Sequence, residues 1–141
     1  MRDDTVSSQR GNRLMQDHEM KVMLVEYMGR GFLDNIIALF KQDSSLFRFI
    51  PHMLGDENLR VRLGTVALVE ELAAVYGSEL RAAVPGLIEL LNHENPTVRG
   101  DAASVLGTIK DWSARAALEA CLQDSHPGVR EAARDALADI G

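Results

Sequence analysis

The chain has 141 residues and a formal net charge of −6 at pH 7, and 46% of its residues are hydrophobic but only 5% are aromatic. This length predicts one domain with a continuous core. The acidic balance and the presence of only three lysines argue against a nucleic-acid partner, because phosphate binding needs clustered basic side chains. A single cysteine excludes an intrachain disulfide, and no apolar run approaches the roughly 20 residues that span a bilayer, so we expect a cytoplasmic protein without a membrane partner.

The first 43 residues divide into a polar start and two predicted helices. Residues 1–13 lack the apolar stretch of a signal peptide and are predicted to be a mobile tail. Residues 14–141 are predicted to form one domain. Its divergent N-terminal part, residues 14–43, has the pattern of helices over about 17–29 and 32–42.

The first of these helices is rich in methionine. Four of the six methionines lie between Met15 and Met28, and the apolar band is wider than one helix face. Two interpretations stay open. The helix is either buried against the first repeat, or it leaves an exposed patch at Val22 and Val25 for partner docking or for formation of a homodimer.

A third helix is predicted from residue 43 or 44 to Leu54, disturbed by Pro51. After it, a Val-Arg pair opens three similar helical patterns, at intervals of 37 and 31 residues. Repetition at this period indicates a helical solenoid, in which each unit buries its apolar face against its neighbours. Five positions in each unit form one apolar stripe: Val61, Thr65, Leu68, Val69 and Leu72; Val98, Ala102, Val105, Leu106 and Ile109; Val129, Ala133, Ala136, Leu137 and Ile140.

Local signals set the ends of these helices. Asn95 and His126 each precede a first-turn proline and are predicted N-caps, whereas Gly77 and Gly141 occupy positions typical of left-handed C-caps. A second helix follows each of the first two units, with Ser78 in one, and Asp111 or Ser113 in the other, as candidate caps. Pro85 predicts a kink or a late start in the first of these second helices.

These patterns predict an all-α protein, an α-solenoid (superhelix) of about eight helices stacked as antiparallel pairs. Over residues 44–141 the chain resembles the short HEAT-like repeat of phycobilin lyase subunits. The resemblance is carried by LGTIKD (106–111), ALE (117–119), LQD (122–124), VREAA (129–133) and AL (136–137), and by residues 56–95 with a longer middle.

The resemblance implies that an aspartate six positions before each repeat arginine pairs with it across the turn between helices. Asp56 precedes Arg62 and Asp124 precedes Arg130 at this spacing, but His93 stands before Arg99. We therefore expect a weaker connection in the middle unit, unless Glu94 substitutes for the aspartate.

Chemical sites are disfavoured by placement. The pairs His18-Glu19 and His93-Glu94 are similar to the iron-binding pairs of deoxyhypusine hydroxylase, but neither lies inside a repeat helix at the required position. A weak zinc site between His93 and His126 is also less favoured than solvated turns. Cys121 lies at a core position and is predicted to be buried and inert. We expect no catalytic, cofactor or metal site.

The leading hypothesis is a non-catalytic adaptor that binds a protein or peptide on the concave face of the solenoid. The resemblance implies that the second helices line this face, and mixed charges there favour a protein over a nucleic acid. The alternative is an accessory subunit of an enzyme complex such as a phycobilin-lyase-like assembly, and a HEAT-like DNA glycosylase is disfavoured by the acidic balance. The predicted partner-binding residues are Arg48, His52, Arg81, Glu89, Trp112, Arg115 and Glu119.

Overall fold

The computed structural model of the chain describes Gly11 and residues 15–141 in full, and it gives helix bounds from Arg2 onward. The predicted mobile tail, residues 1–13, lies outside the fully described residues apart from Gly11. Eight helical segments and no strand occur over the described part of the chain: α1 (Arg2–Gly29), α2 (Leu33–Gln42), α3 (residues 44–54), α4 (Leu59–Ala73), α5 (residues 77–90), α6 (Pro96–Ile109), α7 (residues 112–123) and α8 (Pro127–Ile140).

The helices form two layers. The three Val-Arg helices α4, α6 and α8 lie side by side in one layer, and α3, α5 and α7 pack against them from the other. Each of these second helices also contacts the first helix that follows it in the chain, so every unit is covered by its successor. The predicted all-α solenoid is confirmed.

The core contains the predicted apolar stripe. The stripe residues of α4 are all buried, as are those of α6 except the half-buried Ile109. In α8, the last helix of the chain, Leu137 and Ile140 are half-buried. Small residues allow α6 and α8 to pack closely. The space between them is so narrow that a Cβ atom added to Gly107 would lie 2.8 Å from the Cα atom of Ala136.

Prolines shape the second helices. Both α3 and α5 contain a 3-10 turn, Ser44–Phe49 and Arg81–Ala83, followed by the α-helical parts Ile50–Leu54 and Val84–Leu90. Pro51 and Pro85 each lie in the first two positions of the α-helical part, where the N–H that proline lacks is not needed. A kink or a late start was predicted at Pro85; α5 begins at Gly77, and the 3-10 turn interrupts it directly before the α-helical part that contains Pro85.

The predicted caps are only partly correct. Asn95 and His126 cap α6 and α8 by accepting from the N–H two residues later, and Asp111 caps α7 in the same way. The C-cap predicted at Gly77 is wrong, because this glycine begins α5 without a positive φ, and Ser78 then lies inside the helix rather than at its cap. The left-handed residue between repeats is instead Lys110, with a φ of 62°.

Candidate functional site

The predicted partner-binding residues lie on the exposed side of α3, α5 and α7, which we call the second-helix surface. The first turns of α3 and α5 are in contact, and Arg81 on α5 places its Nε atom 4.0 Å from an oxygen of Asp111 at the start of α7. These contacts align corresponding segments of the three helices. Arg48, Arg81 and Arg115 therefore lie near the starts of three successive second helices.

Trp112 and Arg115 form the most prominent feature of this surface. The indole ring of Trp112 is 64% exposed, and the guanidinium carbon of Arg115 lies 4.9 Å from the ring centroid. Arg115 Nε also lies 3.2 Å from a carboxylate oxygen of Glu119, one turn later. The half-buried arginine is thus held between an exposed aromatic ring and a carboxylate, an arrangement that we call the Trp112 platform.

The turn before Trp112 is anionic. Asp111 accepts from the backbone N–H of Ser113 at 2.9 Å. Hydrogen bonds from Ser113 lower the pKa of Asp111, and the charge of Arg81 adds to the effect. Arg81 lies near this carboxylate without a hydrogen bond to it, and its side chain remains 73% exposed.

Arg48 and His52 lie beside the N-terminal helix α1, and both are also in contact with solvent. Arg48 donates to both carboxylate oxygens of Asp17 on α1, at 3.2 and 3.0 Å, and lies 4.6 Å over the ring of Phe49. His52 is one turn further along, and its pKa is lowered, chiefly by burial and then by the charge of Lys21. Both residues remain exposed in part, but each has a neighbour on α1.

Glu89 is remote from the Trp112 platform. It lies eight residues after Arg81, which corresponds to about 12 Å along a helix. It is exposed, and no basic side chain in the described part of the chain pairs with it. The seven predicted residues therefore separate into a group around Arg81 and Trp112, a pair beside α1, and an isolated glutamate.

One side of the methionine-rich helix α1 is buried and the other is exposed. Leu24 and Met28 are buried in the core, and the sulfur of Met28 fills the space over Gly64 of α4. On the opposite side Met15 and Val22 are 63% and 51% exposed, and Val25 is half-buried. Self-association through this side stays a prediction.

The repeat arginines act differently from the expectation. Arg62 Nη1 donates to the backbone carbonyls of Asp56 and Glu57, at 2.8 and 2.9 Å, and Arg130 Nη1 donates to the carbonyl of Asp124 at 2.7 Å. Neither arginine pairs with the carboxylate six positions earlier, so that prediction is wrong. The Asp56 and Asp124 carboxylates instead accept from the N–H two residues later and shape the turn.

This geometry shows how a histidine takes the place of the aspartate in the turn of the middle unit. His93 Nδ1 accepts from the N–H of Asn95 at 3.0 Å, as the aspartates do, and its carbonyl accepts from Arg99 Nη1 at 2.9 Å. The predicted weaker connection is therefore wrong. His126 Nδ1 is likewise engaged with a backbone N–H, so each imidazole has a local role in capping.

Successive repeats are joined by arginine–aspartate contacts that cross from one unit to the next. Arg99 donates from Nε and Nη2 to both oxygens of Asp124, at 2.9 and 3.0 Å. Arg62 Nε lies 3.9 Å from Asp101 of the following unit. The hydrogen bond from Arg99 is the main cause of the lowered pKa of Asp124. Near this pair, burial raises the pKa of the Cys121 thiol, which is buried as predicted.

We expect Asp124→Asn to be destabilising at pH 7 and nearly neutral in strong acid. The folded pKa of Asp124 is lowered, so its ionised form stabilises the protein above the unfolded value of about 3.9, and this contribution is lost as the pH falls through the folded pKa. Urea unfolding of the wild type and variant between pH 7 and pH 2.5 measures the difference. Asp135→Asn, an exposed position on α8, is the control. A difference that does not change with pH would contradict the assignment.

Together the two layers define a class, the α-solenoid of stacked helix pairs. Residues 84–141, about two fifths of the chain, match a family model described as HEAT repeats. This match supports a HEAT-repeat protein and does not distinguish the phycobilin-lyase type. Comparison with curated proteins gives no match. Within the described residues, no helix is both long and apolar enough to cross a bilayer.

Two features of the site were not predicted from the sequence. One is the ion pair of Asp17 with Arg48, which joins residues 31 positions apart and has no local signal. The other is the binding of backbone carbonyls by the repeat arginines. The histidine at position 93 could have indicated the second feature. Histidine and aspartate share the ability to accept a hydrogen bond from the turn N–H, and this is the role that the position requires.

Proposed function

We propose that the protein is a non-catalytic adaptor that binds a partner protein or peptide on its second-helix surface, centred on Trp112 and Arg115. HEAT repeats commonly mediate protein–protein interactions. The observation that supports the proposal most directly is the 64% exposure of Trp112 together with its stacked arginine. A partner that covers this exposed tryptophan removes a large apolar surface from water, which stabilises the complex. Tryptophan and arginine also dominate binding hot spots.

The charges around the platform favour a partner of mixed polarity with at least one acidic group. Arg81 is 73% exposed, and its carboxylate neighbour Asp111 lies 4.0 Å away, too far for a hydrogen bond. The N–H groups of Arg81 are therefore free to donate to a partner's carboxylate. Glu119 and Glu89 on the same surface would repel a uniformly anionic ligand. These features support a folded surface or peptide as the ligand more than a nucleic-acid backbone.

Partner capture from the native cell, identified by mass spectrometry, supplies the binding assay in which the proposal is tested. We expect Trp112→Ala to weaken the captured complex by at least about 30-fold, the effect of a hot spot of 2 kcal/mol. Arg81→Glu combined with Arg115→Glu is expected to abolish capture while leaving the helical circular dichroism intact.

The matched control is Arg60→Glu combined with Arg134→Glu. These two arginines are exposed on the first-helix layer, on α4 and α8, and their reversal changes the net charge by the same amount. If both double variants lose the partner equally, the effect is one of overall charge and the proposed surface is wrong. Full retention of binding by the Arg81 and Arg115 variant would also refute it.

A further inference from the structure

One side of α1 presents a stripe of side chains with the spacing of a coiled coil. The buried residues Leu24 and Met28 mark the opposite side of the helix, which packs against α2, α3 and α4. The stripe residues follow one another at intervals of three, four and three positions: Met15, His18, Val22 and Val25. Such intervals place side chains on one face of a helix and correspond to the a and d positions of a heptad, which contact a second helix in a coiled coil.

The described part of the chain leaves most of this stripe uncovered. Met15 and Val22 are 63% and 51% exposed, His18 is also exposed, and Val25 is half-buried. A groove of about 470 Å³ runs beside the stripe, between α1 and α3. A second helix laid on the stripe would remove these apolar side chains from water, which stabilises the association.

The charges beside the stripe distinguish between its possible occupants. Lys21 precedes the a position Val22, and Glu26 follows the d position Val25, so the two charges lie on opposite flanks of the stripe. A helix with a single sign of charge would be attracted on one flank and repelled on the other. A second copy of α1 carries both signs and is therefore complementary to this face.

The same charges set the orientation of the two copies. In a parallel pair of helices the g position of one faces the following e position of the other, so Lys21 of each copy meets Glu26 of the other in two equivalent pairs. In an antiparallel pair flanks of the same kind meet, and the acidic flank with Glu19 and Glu26 faces its own copy. Glu26 accepts from Arg30 through Oε1, at 2.6 Å, which leaves Oε2 for the lysine. Charge complementarity therefore favours the parallel pair.

We propose that the chain forms a parallel homodimer through this face of α1. Met15, Val22 and Val25 pack against their own copies, and a pair of Lys21 with Glu26 lies on each side. Because α1 is already folded and held against the domain, association costs less ordering than the pairing of isolated helices does. The short stripe places the dimer among weak interfaces. The second-helix platform on α7 lies two helix pairs further along the solenoid, so the dimer does not depend on it and carries two copies of it.

Sedimentation equilibrium of the full chain between about 5 and 500 μM tests the dimer, and we expect a dissociation constant of roughly 10–100 μM. Lys21→Glu and, separately, Glu26→Lys are each expected to weaken the dimer about tenfold, because each change places like charges together in both pairs. The two changes combined are expected to restore the wild-type affinity. A chain that stays monomeric at the highest concentration would overturn the proposal. A tighter dimer in the Glu26→Lys variant would also overturn it, because that result indicates antiparallel helices, in which Glu19 gains a cationic partner.

Matched variants separate this face from overall charge. Lys41→Glu on α2 and Glu131→Lys on α8 make the same charge changes at exposed positions away from α1, and both are expected to dimerise as the wild type does. Cysteine cross-linking then reports the orientation. Met15→Cys is expected to form a disulfide-linked dimer on mild oxidation, because only a parallel pair brings this position next to its own copy. Gln16→Cys, exposed but off the stripe, is expected to stay monomeric, and the native Cys121 is buried in both. Equal cross-linking of the two variants would refute the parallel dimer.

Discussion

Gly107→Ala is expected to destabilise the protein by about 1–3 kcal/mol, although alanine is the better helix former. The reason is the contact between α6 and α8. A Cβ atom at this position would lie 2.8 Å from the Cα atom and 2.9 Å from the Cβ atom of Ala136. Both opposing atoms belong to or adjoin the backbone of α8, so the clash is relieved only by moving one helix away from the other.

A second glycine in the same helix provides the control. A Cβ atom added to Gly100 meets no heavy atom within 4 Å, and its φ is not positive. Gly100→Ala is therefore expected to stabilise the protein by about 0.5–1 kcal/mol, through helix propensity alone. Urea unfolding followed by circular dichroism measures both. Changes of the same sign in the two variants would contradict the close packing of α6 on α8.

The repeat helices could be predicted from the sequence because their core positions recur with the helical period. Leu68 and Leu106, for example, occupy corresponding positions of the apolar stripe, and both are fully buried. The caps Asn95 and His126 were predictable for a similar reason, since each acts within two residues of its own position. The local sequence is sufficient to predict a structural feature when the interaction that forms it is local.

The errors arose where the deciding contact was distant or unusual. Gly77 was expected to end α4, but that helix ends without a left-handed residue, and Lys110 takes the left-handed conformation at the end of α6. A lysine at a positive φ has no sequence signature, because glycine and asparagine are the usual residues there. The ion pair of Asp17 with Arg48 was missed because it joins residues 31 positions apart, and no periodic pattern reports such a pairing.

For the repeat arginines, the family pattern identified the residues that shape the turn, but the contacts that it implied between them were wrong. The family resemblance implied a pair of charges between Asp56 and Arg62, which stand at the family's spacing of six residues. The structure shows instead that the arginine satisfies the backbone carbonyls of the turn, while the carboxylate satisfies an N–H of the same turn. Each residue stabilises the turn separately, which is why a histidine is accepted at one of these positions.

This division of roles predicts that Arg62→Ala costs about 2–4 kcal/mol of stability. Only 8% of Arg62 is exposed, and its Nη1 atom is shared by the carbonyls of Asp56 and Glu57. Removing the side chain leaves two partly buried carbonyl groups without their donor and also loses the packing of the buried aliphatic stem. It further leaves the partly buried Asp101 without its nearest cation, 3.9 Å away.

Arg130→Ala is the matched comparison, because this arginine has the same position in its repeat but donates to one carbonyl and is half-buried. We expect a loss of about 1 kcal/mol there. Arg62→Lys is expected to recover only part of the stability, since an ammonium group cannot reproduce the planar guanidinium that faces two carbonyls and a carboxylate at once. Chemical unfolding ranks the three variants. Equal losses at Arg62 and Arg130 would contradict the prediction, because the larger loss at Arg62 is expected from its deeper burial and its second carbonyl partner.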